Sequence, residues 1–378
     1  MSSRDYTKHL VSSTSPTNTK VGDEYYDPVT NKLYKKLAVN GTTVTNVEVL
    51  TNNLSSVTAI GNTTLGTGSA NFVGVTGGAT GVAPVISAQG TDTNIPLVLQ
   101  PKNLGAIQAQ QTTSTLDGGN VRGAGAVDWQ TSRSLATQVA SGVASVVGGG
   151  RNNQASGAGS VVVGGGTDGS TANFTNHAQG QLSFIGGGIL NTAGGVGSVI
   201  AGGWQNNADS TMGSILGGRY GTTRLINGYN AQPYCNSPLG DLTGAIQGGC
   251  LLLGKQTTDA TPTALTSDGA AAGTTNQVIM PNNSAYTFEA TVISGVTGGG
   301  NTKSWKLEGA IKRGASAAAT SIVGTVTTTV LAQDAGASAW TMVATADTTN
   351  GGIRFTFTGQ AGTTIRTVCR VDTTEMTF

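Results

Sequence analysis

The sequence predicts an all-β chain: a β-rich shaft, then a parallel β-roll or solenoid, then an antiparallel β-sandwich, with three copies assembled as a trimeric fibre. Three observations predict it. A Ser-apolar-apolar-Gly-Gly phrase recurs about every fifteen residues between Ser145 and Gly249. Each copy carries only two or three apolar residues, too few for a helix and enough for a short strand. Beyond Asn276 the text changes to longer stretches of period two, broken by Gly-rich turns.

The repeat fixes the central architecture. Its copies begin at Ser145, Ser160, Ser183, Ser198 and Ser214, so the spacings are 15, 23, 15 and 16 residues. Ala155, Ala193 and Ala208 stand ten residues after Ser145, Ser183 and Ser198, whereas Ala178 comes eight residues late after Ser160. The long interval is therefore one period plus an eight-residue insertion near Thr167 to Thr175. A diverged phrase, Ala245-Ile-Gln-Gly-Gly249, starts thirty residues after Ser214 at Gly244. Either one rung there lacks its signature, or a double-length loop runs from Arg224 to Asp241. A fixed period of this size is one supersecondary unit stacked on itself, and fifteen residues make one turn of a solenoid whose strands pair between turns.

The paired apolar residues carry a second implication. Neighbouring residues of a strand face opposite ways, so Val146 and Val147 cannot both point into one coil, nor can Phe184 and Ile185, nor Val199 and Ile200. Burial of both faces requires cover on both sides. A thin coil has one interior, so the other face is expected to pack on a further copy of the chain, most economically in a three-fold assembly.

The flanking segments follow. Residues 1–50 hold Asp23-Glu-Tyr-Tyr-Asp-Pro-Val-Thr-Asn-Lys-Leu-Tyr-Lys-Lys36, which reads as strand, turn, strand. Residues 51–134 are short alternating strands broken by Gly, Asn and Thr, with one apolar stripe such as Ile95, Leu97 and Leu99. Such a stripe again needs partners to close a core. Residues 135–254 are the roll. In 255–378, Phe288/Ala290/Val292, Trp305/Leu307/Ile311, Trp340/Met342/Ala344 and Ile353/Phe355/Phe357 alternate as sandwich strands, with Trp305 and Trp340 in the core.

Composition bounds the function. The chain has 378 residues, 58 glycines, 20 basic and 19 acidic residues and a net charge of +1. So little charge suits a chain that covers much of its surface with copies of itself. No basic patch with interleaved aromatics points to nucleic acid. The N-terminus has no apolar run of a signal peptide, and no stretch is long enough for a membrane helix, so neither export nor membrane insertion is expected. Three unpatterned cysteines, Cys235, Cys250 and Cys369, are expected as free thiols of a chain made in a reducing cytoplasm.

Several stretches resemble known families. Ser-Val-Val-x-Gly-Gly, Asn152-Asn153-Gln-Ala-Ser-Gly157 and Gln205-Asn-Asn-Ala-Asp209 are similar to rungs of trimeric autotransporter adhesin heads, which implies a left-handed roll wound as a trimer. Gly119-Asn-Val-Arg-Gly-Ala-Gly-Ala-Val-Asp-Trp-Gln-Thr-Ser-Arg-Ser134 looks like the lead-in to such repeats in bacteriophage tail-fibre proteins. Thr76 to Gly105 is similar to a shaft segment of those fibres. The segment at 23–36 resembles their N-terminal attachment modules, and Val278 onward resembles one of their C-terminal domains. The resemblance implies a structural virion protein, made in the host cytoplasm, docked on a phage tail or capsid protein through its N-terminal segment. Its work would be adhesion to a host surface glycan or protein. A capsid-attached or purely structural spike and a polysaccharide-degrading tailspike are the alternatives.

Chemistry-bearing residues are sparse. The two histidines, His9 and His177, leave little material for a Ser-His-Asp or metal site. The acids of the repeats, Asp168, Asp209 and Asp241, share no rung position, so the carboxylate pair of a glycosidase is not expected. Neither is catalysis, a metal or a cofactor. The Gly-Gly-Gly corners are not phosphate loops, since no Gly-Lys-Ser/Thr follows. Loops on a rigid scaffold commonly carry binding. The receptor-binding candidates are accordingly Phe174 in the insertion, Tyr229 and Tyr234 in the longer loop, and Trp204 after a Gly-Gly corner where other rungs place Arg151 and Ile189.

Overall fold

A computed structural model describes residues 80–378 except 170–173, 236–238 and 241, together with the backbone of five strands in the first 79 residues. It divides into two compact units, Met1–Val98 and Leu99–Phe378. In the first, Leu10–Val11 pairs parallel with Glu24–Asp27, which pairs antiparallel with Lys32–Val39 and so on to Thr43–Val49. The strand pair predicted within 23–36 is thus present, and the turn between its strands lies outside the described residues. Asn71–Thr76 and Val85–Gly90 form a further antiparallel pair. Ile86 of this pair and, past it, Leu97, Val98 and Leu99 are exposed, and the stripe expected at Ile95, Leu97 and Leu99 does not form a strand.

The second unit opens as a solenoid. Ile107–Gln108, Val127–Asp128, Val146–Val147, Val161–Val162, Phe184–Ile185, Val199–Ile200 and Ser214–Ile215 stack as one parallel ladder. The ladder therefore begins before residue 135, inside the stretch read from sequence as shaft. A second parallel ladder joins Gln154–Ala155, His177–Ala178, Thr192–Ala193 and Asn207–Ala208. Two-residue strands suffice because each coil turns a corner at once, and each strand sends one side chain in and one out. Inside stand Val147, Val162, Ile185, Ile200 and Ile215 in one column and Ala155, Ala178, Ala193 and Ala208 in the other, all inaccessible to solvent. Outside, Val146, Val161 and Phe184 are half-buried and Val199 is exposed.

At one corner the coils nearly touch. A Cβ on Gly180 would stand 2.1 Å from the carbonyl oxygen of Gly195, and one on Gly157 would stand 2.0 Å from that of Gly180. At the opposite corner a buried amide ladder holds the turns. Asn191 Nδ2 donates to the Gly187 and Gly203 carbonyls at 3.0 and 2.9 Å, and its Oδ1 accepts the amide of Asn206 at 3.0 Å. Asn153, Asn176 and Asn206 repeat the pattern, so the backbone groups freed by each tight corner find partners inside the coil.

Three details differ from the periodic reading. Ser214 is not the last copy of the Ser145 position: it pairs with Val199, and Gly213 occupies the serine's place, which accounts for the interval of 16. The rung without signature exists, since Asn230 pairs parallel with Ser214 and Ala231 with Ile215. Ala245-Ile-Gln-Gly-Gly249 is no rung at all. It opens the strand Ile246–Thr257, which pairs antiparallel with Asn230–Pro233 on one edge and with Ile365–Thr377 on the other.

From there the sheet continues through Ser284–Val296 and Thr302–Arg313 to Thr320–Gln333. The result is one thirteen-stranded sheet, parallel at the solenoid end and antiparallel at the other. A smaller antiparallel sheet is built around Gly352–Thr358, flanked by Thr341–Asp347 on one edge and by Thr263–Ala264 and Val278–Ile279 on the other. Residues of both sheets share one core. Phe288 meets Phe355 edge to face at 5.8 Å between centroids, and Phe357 meets Trp305 and Trp340, each at 6.2 Å. Such edge-on contacts are favourable beyond the area they bury. Trp305 and Trp340 are core residues, as their alternation predicts.

Candidate functional site

The Gly-Gly corners place one residue per coil on a common edge. The Arg151 amide donates to the Gly165 carbonyl, Gly166 to Gly188, Ile189 to Gly203, Trp204 to Gly218 and Arg219 to Tyr234. Glycines at these corners tolerate the left-handed backbone that the turn needs, as at Gly188 and Gly203 with φ of +84° and +96°, and they keep the edge bare of other side chains. Trp204 is therefore prominent, at 41% exposure.

Arg219 of the next coil lays its guanidinium on the indole, 4.3 Å from the Trp204 ring centroid and 4.6 Å from that of Tyr220. One of its nitrogens also donates to the Tyr220 hydroxyl at 3.0 Å. Cation–π contact on two rings holds the planar group and its indole neighbour in fixed orientations. In the following coil Tyr234, 51% exposed, takes the place of the corner glycine, since its carbonyl accepts the Arg219 amide, and the exposed Cys235 continues the Trp204 column.

The eight-residue insertion leaves this same edge at Gly166, two coils to the other side of Trp204, and returns through the half-buried Phe174. Of the four candidates, then, the structure sets Trp204 on this edge and Tyr234 one position before it two coils on, and leaves Phe174 half-buried.

Tyr229 is withdrawn as a receptor contact. It is 1% exposed, because it sits where the last coil meets the C-terminal sheet, and its hydroxyl donates to Glu375. Arg224 Nε and Gln247 Nε2 donate to the other oxygen of Glu375 at 3.0 and 2.9 Å. Burial pushes the Glu375 carboxyl up to about 7 despite the opposing charge of Arg224. Loop position alone could not show this, because the register of the last coil is shifted by one residue.

Two further clusters escape a reading along the sequence. Ser156 Oγ and His177 Nε2 lie 2.8 Å apart across neighbouring coils, and burial lowers the His177 pKa. The period of the repeat is the signal that could have paired them, once the insertion is removed. On the outer face of the C-terminal sheet, Glu289 stands directly opposite both Glu308 and Asp372. Lys306 bridges Glu289 and Glu308 at 3.2 and 2.9 Å, while Arg370 pairs with Asp372 at 2.9 Å. Among the described residues, no group of His, Cys, Asp and Glu is arranged to hold a metal ion.

The chain matches no protein-family model and no curated protein. Two solved structures resemble it loosely. One is the tailspike protein gp49 of Acinetobacter baumannii bacteriophage Fri1, a capsular polysaccharide depolymerase. It is 10% identical over 71% of this chain and 44% of that one, with a TM-score of 0.21. The other is the tailspike protein of Acinetobacter baumannii phage AM24, 9% identical over 73% of this chain and 52% of that one, with a TM-score of 0.20. The chain spans about half the length of these tailspikes. Neither is an autotransporter head, so that resemblance finds no support in them.

The expectation of a chain without catalysis is corrected at this point. One neighbour is itself a depolymerase, and counting carboxylates in the repeats alone misses the row Asp372, Glu289, Glu308 that strand pairing assembles in the C-terminal domain.

Proposed function

We propose that the chain is a fibre or spike protein of a bacteriophage tail that binds a host-surface glycan along the edge of Trp204, Arg219 and Tyr234. What carries the reading is an exposed indole held against a guanidinium on the edge of a rigid ladder, with the exposed Tyr234 at the corner of the second coil on. Sugars stack their C–H faces on such rings and hydrogen-bond to such donors, and rigid aromatic anchors dominate recognition energetics. The resemblance of the N-terminal, shaft and C-terminal segments to phage fibres supports the setting, with residues 1–50 docking to a tail or capsid protein. A homotrimer is part of the proposal. Its support is the outward column Val146, Val161, Phe184 and Val199 and the exposure of Leu97, Val98 and Leu99.

The test is binding of the full-length protein to purified host surface polysaccharide by surface plasmon resonance. Trp204→Ala and Tyr234→Ala are each expected to weaken binding about tenfold, the loss of one anchoring ring at roughly 1.4 kcal/mol. Wild-type affinity in both variants overturns the site.

Turnover of the bound glycan is the second reading, favoured by the pairing of Glu289 with Glu308 and Asp372. Residues directly opposite in an antiparallel sheet are near neighbours, and Lys306 holds the Glu289 and Glu308 carboxylates together, as the paired carboxyl groups of a glycosidase must be. Release of reducing ends by wild type, abolished in Glu289→Gln or Glu308→Gln, would establish it. Intact polysaccharide after prolonged incubation would remove it.

A further inference from the structure

A groove of about 320 Å³ lies where the last coils of the solenoid meet the C-terminal domain. We propose that it binds one unit of a neutral sugar, holding two neighbouring hydroxyls between Arg224 and Asp209. The proposal rests on the reading of a glycan-binding chain and adds a site away from the aromatic edge.

Hydrogen bonds place the two side chains together. Asp209 reaches from one coil to the next, where its Oδ1 accepts the Thr223 hydroxyl at 2.8 Å and the Leu225 amide at 2.9 Å. Arg224 stands between those two residues, and the charge of Asp209 acts on it. The guanidinium is fixed from its other side. Its Nε and Nη2 meet Glu375 at 3.0 and 2.9 Å, and Nη2 also donates to the Gly244 carbonyl at 2.8 Å. The Arg224 side chain is nine-tenths buried and Asp209 half-buried, and both line the groove.

Each keeps capacity to spare. A guanidinium has five donors, so the two N–H groups of Nη1 are left over. A carboxylate accepts about four hydrogen bonds. Asp209 takes those two and a third, from Asn207 Nδ2 to its Oδ2 at 3.2 Å, which leaves a place on Oδ2. A Cβ on Gly244 would stand 3.0 and 3.1 Å from Nη2 and Nη1, so the glycine keeps the guanidinium uncovered. Donors and an acceptor side by side match a vicinal diol, one hydroxyl accepting from Nη1 and the other donating to Oδ2.

The rest of the site narrows the class. Leu225 is 56% exposed, and with the half-buried Ile279 and Pro281 it supplies an apolar wall, suited to the C–H face of a pyranose. An acidic sugar would meet Asp209, with Glu375 behind Arg224. A protonated amino sugar would meet Arg224. Like charges brought together cost affinity, and a neutral hexose avoids both penalties.

The experiment is saturation-transfer NMR on the full-length protein with methyl α-D-glucoside, methyl α-D-mannoside, D-glucuronate and D-glucosamine as probes. At least one neutral glycoside is expected to show transfer that both charged sugars lack and that added salt leaves unchanged. Asp209→Asn keeps an oxygen for Thr223 and Leu225 but puts an amide donor in place of Oδ2. It should weaken binding about tenfold, the loss of one charge-assisted contact. Thr243→Trp, at an exposed position of the groove wall, should abolish it by filling the space, with β-type circular dichroism kept. Trp204→Ala should leave transfer intact. No transfer from either neutral glycoside, equal transfer from the charged sugars, or an unchanged signal in Asp209→Asn and Thr243→Trp overturns the proposal. Transfer lost in Trp204→Ala alone assigns the sugar to the aromatic edge, which overturns this site and spares the proposed function.

Discussion

At the residue scale, polar groups inside the molecule do as much as the aliphatic columns. Asn191 satisfies two carbonyls and one amide of neighbouring turns, so Asn191→Ala strands several buried groups at once. A loss of about 3 kcal/mol is expected in urea denaturation, against under about 0.5 kcal/mol for Thr192→Ala on the outward face. Asp347 gives the clearest pH dependence. Burial alone would raise its pKa. The side chain and amide of Asn350, Gln277 and the charge of Arg354 outweigh that and bring it to about 2. Its stabilisation is therefore complete above the ordinary value near 3.8 and is lost as pH falls toward 2. That loss amounts to about 2 kcal/mol. Acid unfolding followed by circular dichroism should show the slope, and Asp347→Asn should flatten it. Trp204 was legible in the sequence because its position varies from rung to rung, which marks an outward site. Tyr229 was not, because a one-residue shift in the last coil turns a loop aromatic into a buried one.

At the element scale the coils stack by backbone fit. Gly180→Ala would drive a methyl to 2.1 Å from the Gly195 carbonyl oxygen, whereas a Cβ on Gly164 meets nothing within 4 Å. Calorimetric melting should show Gly180→Ala lowered by several degrees, consistent with a loss of about 2 kcal/mol or more, and Gly164→Ala nearly unchanged. Removing residues 167–174 restores the fifteen-residue period, so the deletion variant is expected to keep its β-type circular dichroism. Collapse of that signal would mean the insertion is part of the coil. The period exposed the insertion from spacing alone, since the alanine column kept its phase on either side. It misplaced the final serine, because Ser214 and Gly213 can each follow a corner and only strand pairing tells them apart.

At the scale of the whole molecule, the outward column of Val146, Val161, Phe184 and Val199 faces away from the coil's own core. Light scattering of the intact protein is expected to give three times 37.8 kDa, and a well-folded monomer would sink the trimer. The sequence shows a change from period fifteen to period two but not that the two regions share one sheet. The junction is made by Asn230–Pro233, a rung without its signature, and by a strand that mimics one at Ala245. Backbone pairing there depends on residues far apart in the chain, such as Gly249 with Thr373, which periodicity cannot register.

The two-residue rungs and the twelve- to fourteen-residue strands beyond them also differ in how they meet tension. A tension applied between the two ends of the stack falls in series on each turn, where a few hydrogen bonds resist it, while the long antiparallel strands of the C-terminal sheet share it over many. The coil should yield first, one turn at a time. Each turn would pay out about 50 Å of extended chain for about 5 Å of stack. The stack would then lengthen stepwise as an extensible cord, and the sawtooth of single-molecule extension would carry the fifteen-residue period of the sequence.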